Sequence, residues 1–165
     1  MHRLTALTAT AALLSAPAAA QEAPADSAQI AAAIEACSAI TSPTWIELKQ
    51  LPDHGWEPVK KRGGGRSAMV VRGAYEKRGN EALIIIGKDE LKAKSCVVFA
   101  RLQATGDYGP TAQGVSQLIG MPLRADGPTY FWVLGDKNIR LDPAGDRDKP
   151  IARFEITAIP QESAE

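Results

Sequence analysis

The run IARFEITAI, residues 151–159, alternates strictly between apolar and polar side chains. The even positions from Ala152 to Ala158 are apolar, whereas positions 153, 155 and 157 carry Arg, Glu and Thr. A period of two is typical of a strand with one buried face and one solvated face, as antiparallel sheets allow. The chain therefore has to cover one face of a sheet with another layer.

Other segments rich in β-forming residues precede this run. They are WEPVK at 56–60, SAMVVRGAY at 67–75, EALIIIG at 81–87, SCVVFARLQ at 95–103 and TYFWVLGDKNIRLDP at 129–143. Pro58 restricts the first of them to a sheet edge. Because strands follow strands without a regular alternation with helices, we expect an α+β fold whose antiparallel sheet has about 5–7 strands.

The stretch DSAQIAAAIEACSAI, residues 26–40, predicts an N-terminal helix. Asp26 is a suitable N-cap, and Gln29 stands three residues later, as in a capping box. Ile30, Ile34 and Cys37 recur at i, i+4 and i+7 and form one apolar face. Cys37 is therefore expected to point toward whatever the helix covers.

One short helix is expected between the strands, with Thr111 as its cap and Val115, Leu118 and Ile119 as its apolar side. Both helices are expected to pack on one face of the sheet. Ser42–Pro43 is typical of another helix start, with Trp45 on its apolar stripe. The sequence KDELKAK, residues 88–94, is interpreted as a charged turn.

The first 20 residues have the three parts of a secretory signal peptide. Arg3 supplies the positive charge, Leu4–Leu14 form the apolar run, and small residues precede a cleavage site expected between Ala20 and Gln21. The apolar run is too short to span a bilayer, and no later segment is long enough. The sequence thus predicts a periplasmic or secreted bacterial protein.

We expect residues 21–26 to form a flexible leader, 27–160 a single α+β domain and 161–165 a disordered tail. Removing residues 1–20 takes away one basic residue and leaves a net charge near −1. Such a balance does not favour nucleic acid or anionic membranes as partners.

The chain contains two cysteines, Cys37 and Cys96. In an oxidising compartment two cysteines most often form one disulfide, here between the first helix and a strand. Their spacing matches neither a CxxC redox motif nor a zinc site, so we expect no metal. Lys92 and Lys94 leave open the alternative of a reactive thiol at position 96.

The segment KKRGGGR, residues 60–66, surrounds three glycines with four positive charges. Exposed glycine amides together with Lys60, Lys61, Arg62 and Arg66 suggest a site for a small anion. Ordinary hairpin chemistry explains the same residues as a solvated tip.

Three further segments carry candidate residues. His54 lies in a turn and suits acid–base chemistry, but no nucleophile motif accompanies it. Asp142, Asp146 and Asp148 share one loop without the spacing of a calcium site. The outward-facing member of Tyr130–Trp132 is a candidate contact residue.

No catalytic residue and no cofactor is therefore assigned. The sequence favours a small exported, non-enzymatic binding module, with an envelope protein or a small anionic ligand as its partner. Two alternatives stay open: a small envelope hydrolase or other enzyme centred near His54, and an envelope-stress factor that acts by protein contact.

Overall fold

The computed structural model describes residues 23–62 and 68–160. It is an α+β fold, as the sequence predicts, with helices packed on an antiparallel sheet. Within these described residues the sheet has eight strands, slightly more than expected. In chain order the elements are α1 (Ser27–Ile40), a 3₁₀ helix (Leu48–His54), β1 (Glu57–Arg62), β2 (Ala68–Lys77), β3 (Asn80–Ile85), α2 (Lys88–Ala93), β4 (Ser95–Arg101), a 3₁₀ turn (Thr105–Asp107), α3 (Tyr108–Ile119), β5 (Arg124–Asp126), β6 (Thr129–Leu134), β7 (Lys137–Gly145) and β8 (Pro150–Ala158).

The strands lie in the order β1-β2-β3-β4-β8-β7-β6-β5, and each neighbouring pair is antiparallel. The first four strands therefore form one meander that ends at the centre of the sheet. From there the chain crosses through α3 to the far edge and returns strand by strand to β8, which pairs with β4. This crossover makes the three-residue strand β5 an edge of the sheet.

Helix α1 begins as its sequence predicts. Asp26 accepts a hydrogen bond from the Gln29 backbone N–H at 2.7 Å, and the Gln29 side chain accepts one from the Asp26 N–H at 3.0 Å. Ile30, Ile34 and Cys37 are fully buried against the sheet. The capping box satisfies backbone donors that a helix start otherwise leaves without a partner.

The predicted disulfide joins α1 to β4. The Cα atoms of Cys37 and Cys96 are 5.5 Å apart, and both side chains are fully buried. Cys96 lies opposite Ile156 of β8, on the sheet face that the helices cover. The bridge therefore ties the helical layer to the middle of the sheet.

The core lies between the helices and this face of the sheet. Buried side chains on adjacent strands lie opposite one another across this face, since Val98 of β4 pairs with Phe154 of β8, and Phe154 pairs with Leu141 of β7. Trp132 and Phe154 are buried with their ring centroids 6.4 Å apart. The even positions of β8 face this core, as the alternation in IARFEITAI predicts.

Several local predictions differ from the structure. The segment interpreted as a charged turn contains α2, where the Glu90 carboxylate accepts a hydrogen bond from the Gly87 N–H at 2.9 Å. Helix α3 begins at Tyr108, three residues before the expected cap at Thr111. The stretch after Ser42–Pro43 is a turn in which the Ser42 hydroxyl accepts the Trp45 N–H, and the 3₁₀ helix begins only at Leu48.

Among the residues that the structure describes, no helix is long and apolar enough to cross a membrane. The predicted signal peptide, the cleavage site between Ala20 and Gln21, and the tail 161–165 lie outside the described residues. Of the expected leader 21–26, Ala25 is buried and Asp26 caps α1.

Candidate interaction surface

Large apolar side chains are exposed mainly in one part of the chain. Of the seven in the described residues, five lie between positions 118 and 134. Their exposed fractions are 56% for Leu118, 82% for Met121, 74% for Leu123, 50% for Val133 and 37% for Leu134. The other two, Trp45 and Leu91, are far from this segment in the chain. Leu118 and Leu134 lie beside α1, whereas the alternation along β6 places Val133 on the sheet face opposite the helices. We call these five residues, which extend around this edge of the sheet, the 118–134 surface.

The C-terminal part of α3 supplies the first of these residues. Ala112, Val115 and Ile119 repeat at i, i+3 and i+7 and form the seam that packs on the core. Leu118 is about a quarter of a turn away from that seam and remains exposed. The prediction that Leu118 shares the packed side with Val115 and Ile119 was therefore wrong.

The loop after α3 is fixed by the core rather than by its own side chains. Gly120 ends the helix with a positive φ of 101°, and its carbonyl accepts a hydrogen bond from the buried Trp132 indole N–H at 3.0 Å. Leu123 then donates its N–H to the Phe131 carbonyl at 2.7 Å. These two bonds hold Met121 and Leu123 outward, because the backbone between them is anchored on β6.

Two mainly apolar clefts border α3. The cleft between α1 and α3 has a volume of about 420 Å³ and is lined by Ala28, Ala31, Ala32, Ile34, Glu35, Leu118, Ile119 and Leu134. The cleft on the other side of α3 has a volume of about 430 Å³ and is lined by Gly109, Ala112, Gln113, Ser116, Gln117, Met121, Pro122 and Tyr130. Glu35 is the one charged residue in these two linings. The surface around α3 is thus poor in charge, like the centre of many protein interfaces.

The β5–β6 hairpin borders this surface. Arg124 lies opposite Phe131, and its guanidinium carbon is 4.1 Å from the centre of the Phe131 ring. The Tyr108 hydroxyl of α3 donates to the Pro128 carbonyl in the hairpin turn at 2.8 Å. Burial, assisted by the nearby Asp142 carboxylate, raises the pKa of Tyr108 well above its usual value, so the phenol keeps its donor proton.

The sheet face opposite the helices is polar around β7 and β8. Arg140 lies opposite Glu155, and Asp142 lies opposite Arg153. Ion pairs also run along each strand, at 2.8 Å between Arg140 and Asp142 and at 3.0 Å between Arg153 and Glu155. The four charges alternate in sign and neutralise one another, so this patch does not attract ligands of one charge.

The sites suggested by the sequence are not brought together with this surface. Lys60 is an exposed residue of β1. The side chains of Lys61 and Arg62, and all of Arg66, lie outside what the structure describes, so the anion site stays a prediction.

His54 is partly buried at the end of its 3₁₀ helix. The neighbouring cleft of about 610 Å³ is lined by Gly55, Glu57, Glu76, Lys77, Arg78, Gly79, Asn80, Glu81 and Leu83, without His54. Within residues 23–62 and 68–160, no group of three or more His, Cys, Asp or Glu is arranged to hold a metal ion. Asp142 lies in β7, while Asp146 accepts backbone N–H groups of the following turn.

Sequence reasoning missed Met121, Leu123 and strand β5. The one hint was a pair of apolar residues, Met121 and Leu123, around Pro122 in an otherwise polar loop. The candidate contact residue among Tyr130–Trp132 is Phe131, which faces away from the core and stacks under Arg124.

No protein-family model matches this chain, and neither a curated protein nor a solved structure matches it.

Proposed function

We propose that this chain is a small exported, non-enzymatic interaction module that binds a protein partner through the 118–134 surface. The observation that carries the proposal is the concentration there of five of the seven large apolar side chains exposed in the described residues. Single exposed apolar residues are ordinary, whereas a group of them in one region marks an interaction site.

The free energy available from burying these five side chains is not enough by itself to hold a partner. The exposed fractions of the five side chains together equal about three fully exposed residues. Burying each such side chain contributes about 1.5–3 kcal/mol, which gives roughly 5–9 kcal/mol for the group. Association itself costs about 4–15 kcal/mol, so the partner has to contribute further contacts, for example in the two clefts beside α3.

Export is supported by two independent features. The N-terminal sequence has the order of charge, apolar run and small residues of a signal peptide. The buried Cys37–Cys96 disulfide is a structural bridge of the kind that persists outside the reducing cytosol.

The envelope-stress hypothesis is one form of this proposal, since such a factor also acts through protein contact. The enzyme hypothesis needs a cleft that joins His54 to a carboxylate or a nucleophile. The clefts described above do not place His54 in such a setting. We therefore propose no catalytic role for His54.

Site-specific photocrosslinking in the native cell envelope tests the proposal. A photoreactive residue at position 121 or 123 is expected to give a discrete adduct with a protein, because both side chains project from the surface. Leu91 is the matched control, since it is also an exposed leucine but lies on α2. Equal labelling at all three positions, or no adduct at 121 and 123, would contradict the proposal.

A further inference from the structure

The edge strand β5 lies in a segment whose prolines and charged residues stand at equal distances from a central alanine. Residues 122–128 read PLRADGP, with a proline at each end, Arg124 and Asp126 on either side of the centre, and Ala125 at the centre. All three residues of β5 are exposed, and no strand in the described part of the chain pairs with its outer edge. We propose that two copies of the chain associate about a two-fold axis at Ala125, with their β5 strands paired antiparallel.

The geometry of the β5–β6 hairpin directs the backbone N–H and C=O of Ala125 away from β6. β5 pairs with β6 in the register Asp126–Thr129, Ala125–Tyr130 and Arg124–Phe131, so the turn between the strands is the two residues Gly127–Pro128. In such a hairpin the residues that flank the turn bond to each other, and the bonding direction alternates along the strand. The N–H and C=O groups of Ala125 therefore point away from β6, toward a second strand.

Pairing centred on Ala125 makes the charges complementary. Arg124 of each copy then lies opposite Asp126 of the second copy, which gives two symmetric pairs of opposite charge. Charged residues on an edge strand ordinarily discourage pairing. These two have opposite signs at positions equidistant from the centre, so in this register they attract instead.

The flanking residues also fit this register. Leu123 falls opposite Gly127 of the second copy, where the space beside the glycine is open for at least 4 Å. Pro122 falls opposite Pro128 in this register. Because the Leu123 N–H is donated to the Phe131 carbonyl of β6, the backbone pairing between the copies is limited to the groups of Ala125. The exposed Leu123 contributes by packing its side chain beside Gly127 of the second copy.

The available apolar area indicates a weak dimer rather than a permanent one. A fully exposed side chain of this size carries roughly 60–120 Å² of apolar surface, so the five residues of the 118–134 surface carry roughly 200–350 Å² per copy. A standard interface buries about 800 Å² per partner, of which somewhat more than half is apolar. The apolar area therefore falls short of a standard interface, and the charge pairs and strand pairing have to supply specificity.

The opposite edge of the sheet lacks these features. Strand β1 contains Pro58, which has no N–H to donate to an added strand. Self-association through β5 is therefore favoured over association through β1. The inference rests on the proposed function, because it names a second copy as a partner that covers Leu123 of the 118–134 surface.

Sedimentation velocity over a wide range of protein concentrations tests the inference. The wild-type chain is expected to show a reversible monomer–dimer equilibrium. Arg124→Asp and Asp126→Arg each place like charges opposite one another and are expected to weaken the dimer by about tenfold or more. The double variant Arg124→Asp/Asp126→Arg exchanges the two signs within each pair and is expected to restore dimerisation.

Ala125→Pro provides a second test. This substitution removes the N–H that points away from β6, and it removes no donor from the hydrogen bonds between β5 and β6. It is therefore expected to abolish the dimer. Leu91→Ser is the control that leaves the equilibrium unchanged. Unchanged circular dichroism establishes that each variant is folded.

A chain that stays monomeric at all concentrations would overturn the inference, as would a dimer indifferent to the charge variants and to Ala125→Pro. Open-ended oligomers would also overturn it, because a two-fold interface closes on itself. A monomer that still gives heterologous adducts from positions 121 and 123 would refute the inference while leaving the proposed function in place.

Discussion

Removing the disulfide should lower the stability of the domain by an amount that follows from its position in the chain. Cys37 and Cys96 are 59 residues apart, so the bridge closes a large loop in the unfolded chain. In the chain-entropy model a loop of this size contributes about 4 kcal/mol at 25 °C. Both side chains are fully buried, so Cys37→Ala/Cys96→Ala also leaves small cavities, for a total of about 4–5 kcal/mol.

Urea unfolding followed by tryptophan fluorescence measures this change, because Trp56 and Trp132 are both buried. A domain of this size has a denaturant slope of about 1–3 kcal/mol per molar urea, so the midpoint should fall on the order of 2 M. Either single alanine variant should lose about as much as the double variant, since one bridge is broken in each case. Reductant should shift the wild-type midpoint similarly and leave the double variant unchanged.

Two results would refute this reasoning. Equal midpoints for the oxidised wild type and the double variant would show that the bridge does not stabilise the helical layer on the sheet. Two titratable thiols per denatured, unreduced chain would show that exported protein has no bridge.

Three further predictions concern other parts of the chain. In urea unfolding, Gly73→Ala should destabilise the domain by about 1–3 kcal/mol more than Gly79→Ala. Both glycines have a positive φ, but of the two only position 73 would place the new Cβ at 2.7 Å from a backbone oxygen, that of Ile86. Equal losses of stability in the two variants would contradict this prediction. Spectrophotometric titration should show Tyr108 ionising well above pH 10, and because folding favours its neutral form, the stability from this group should be complete below about pH 10 and fall as the pH rises further. A Tyr108→Phe variant whose titration still shows every high-pH component of the wild type would disprove the assignment. Mass spectrometry of exported protein should give a chain that begins at Gln21, whereas a mature chain that retains residue 1 would end the export hypothesis.

The predictions that succeeded rest on patterns within one element. The cap at Asp26 and the spacing of Ile30, Ile34 and Cys37 were enough to orient α1, because a helix repeats every 3.6 residues whatever it packs on. The buried face of β8 and the inward direction of Cys96 in β4 likewise follow from the two-residue period of a strand. Together they predicted which faces meet and that the two cysteines lie in one interface.

The predictions that failed concern segments whose structure depends on distant residues. Leu118 has the side chain of a core residue, but α3 is oriented so that Val115 is buried and Ile119 packs against the core, while Leu118 stays exposed. Strand β5 has no β-forming pattern in Arg-Ala-Asp. It is a strand because β6 pairs with it and because Leu123 and Tyr108 bond to that hairpin.

The sequence by itself determined the α+β class, the solvated and buried faces of its clearest strand and the orientation of both cysteines, since each follows from a local period. Only the tertiary structure decided the order of the eight strands, the position of β5 at an edge and the exposure of the 118–134 surface. These depend on contacts between residues far apart in the chain, such as the bond from Trp132 to Gly120 and the pairing of β4 with β8. Local periodicity specifies which face of an element is apolar, but it does not specify which neighbour covers that face or whether one does.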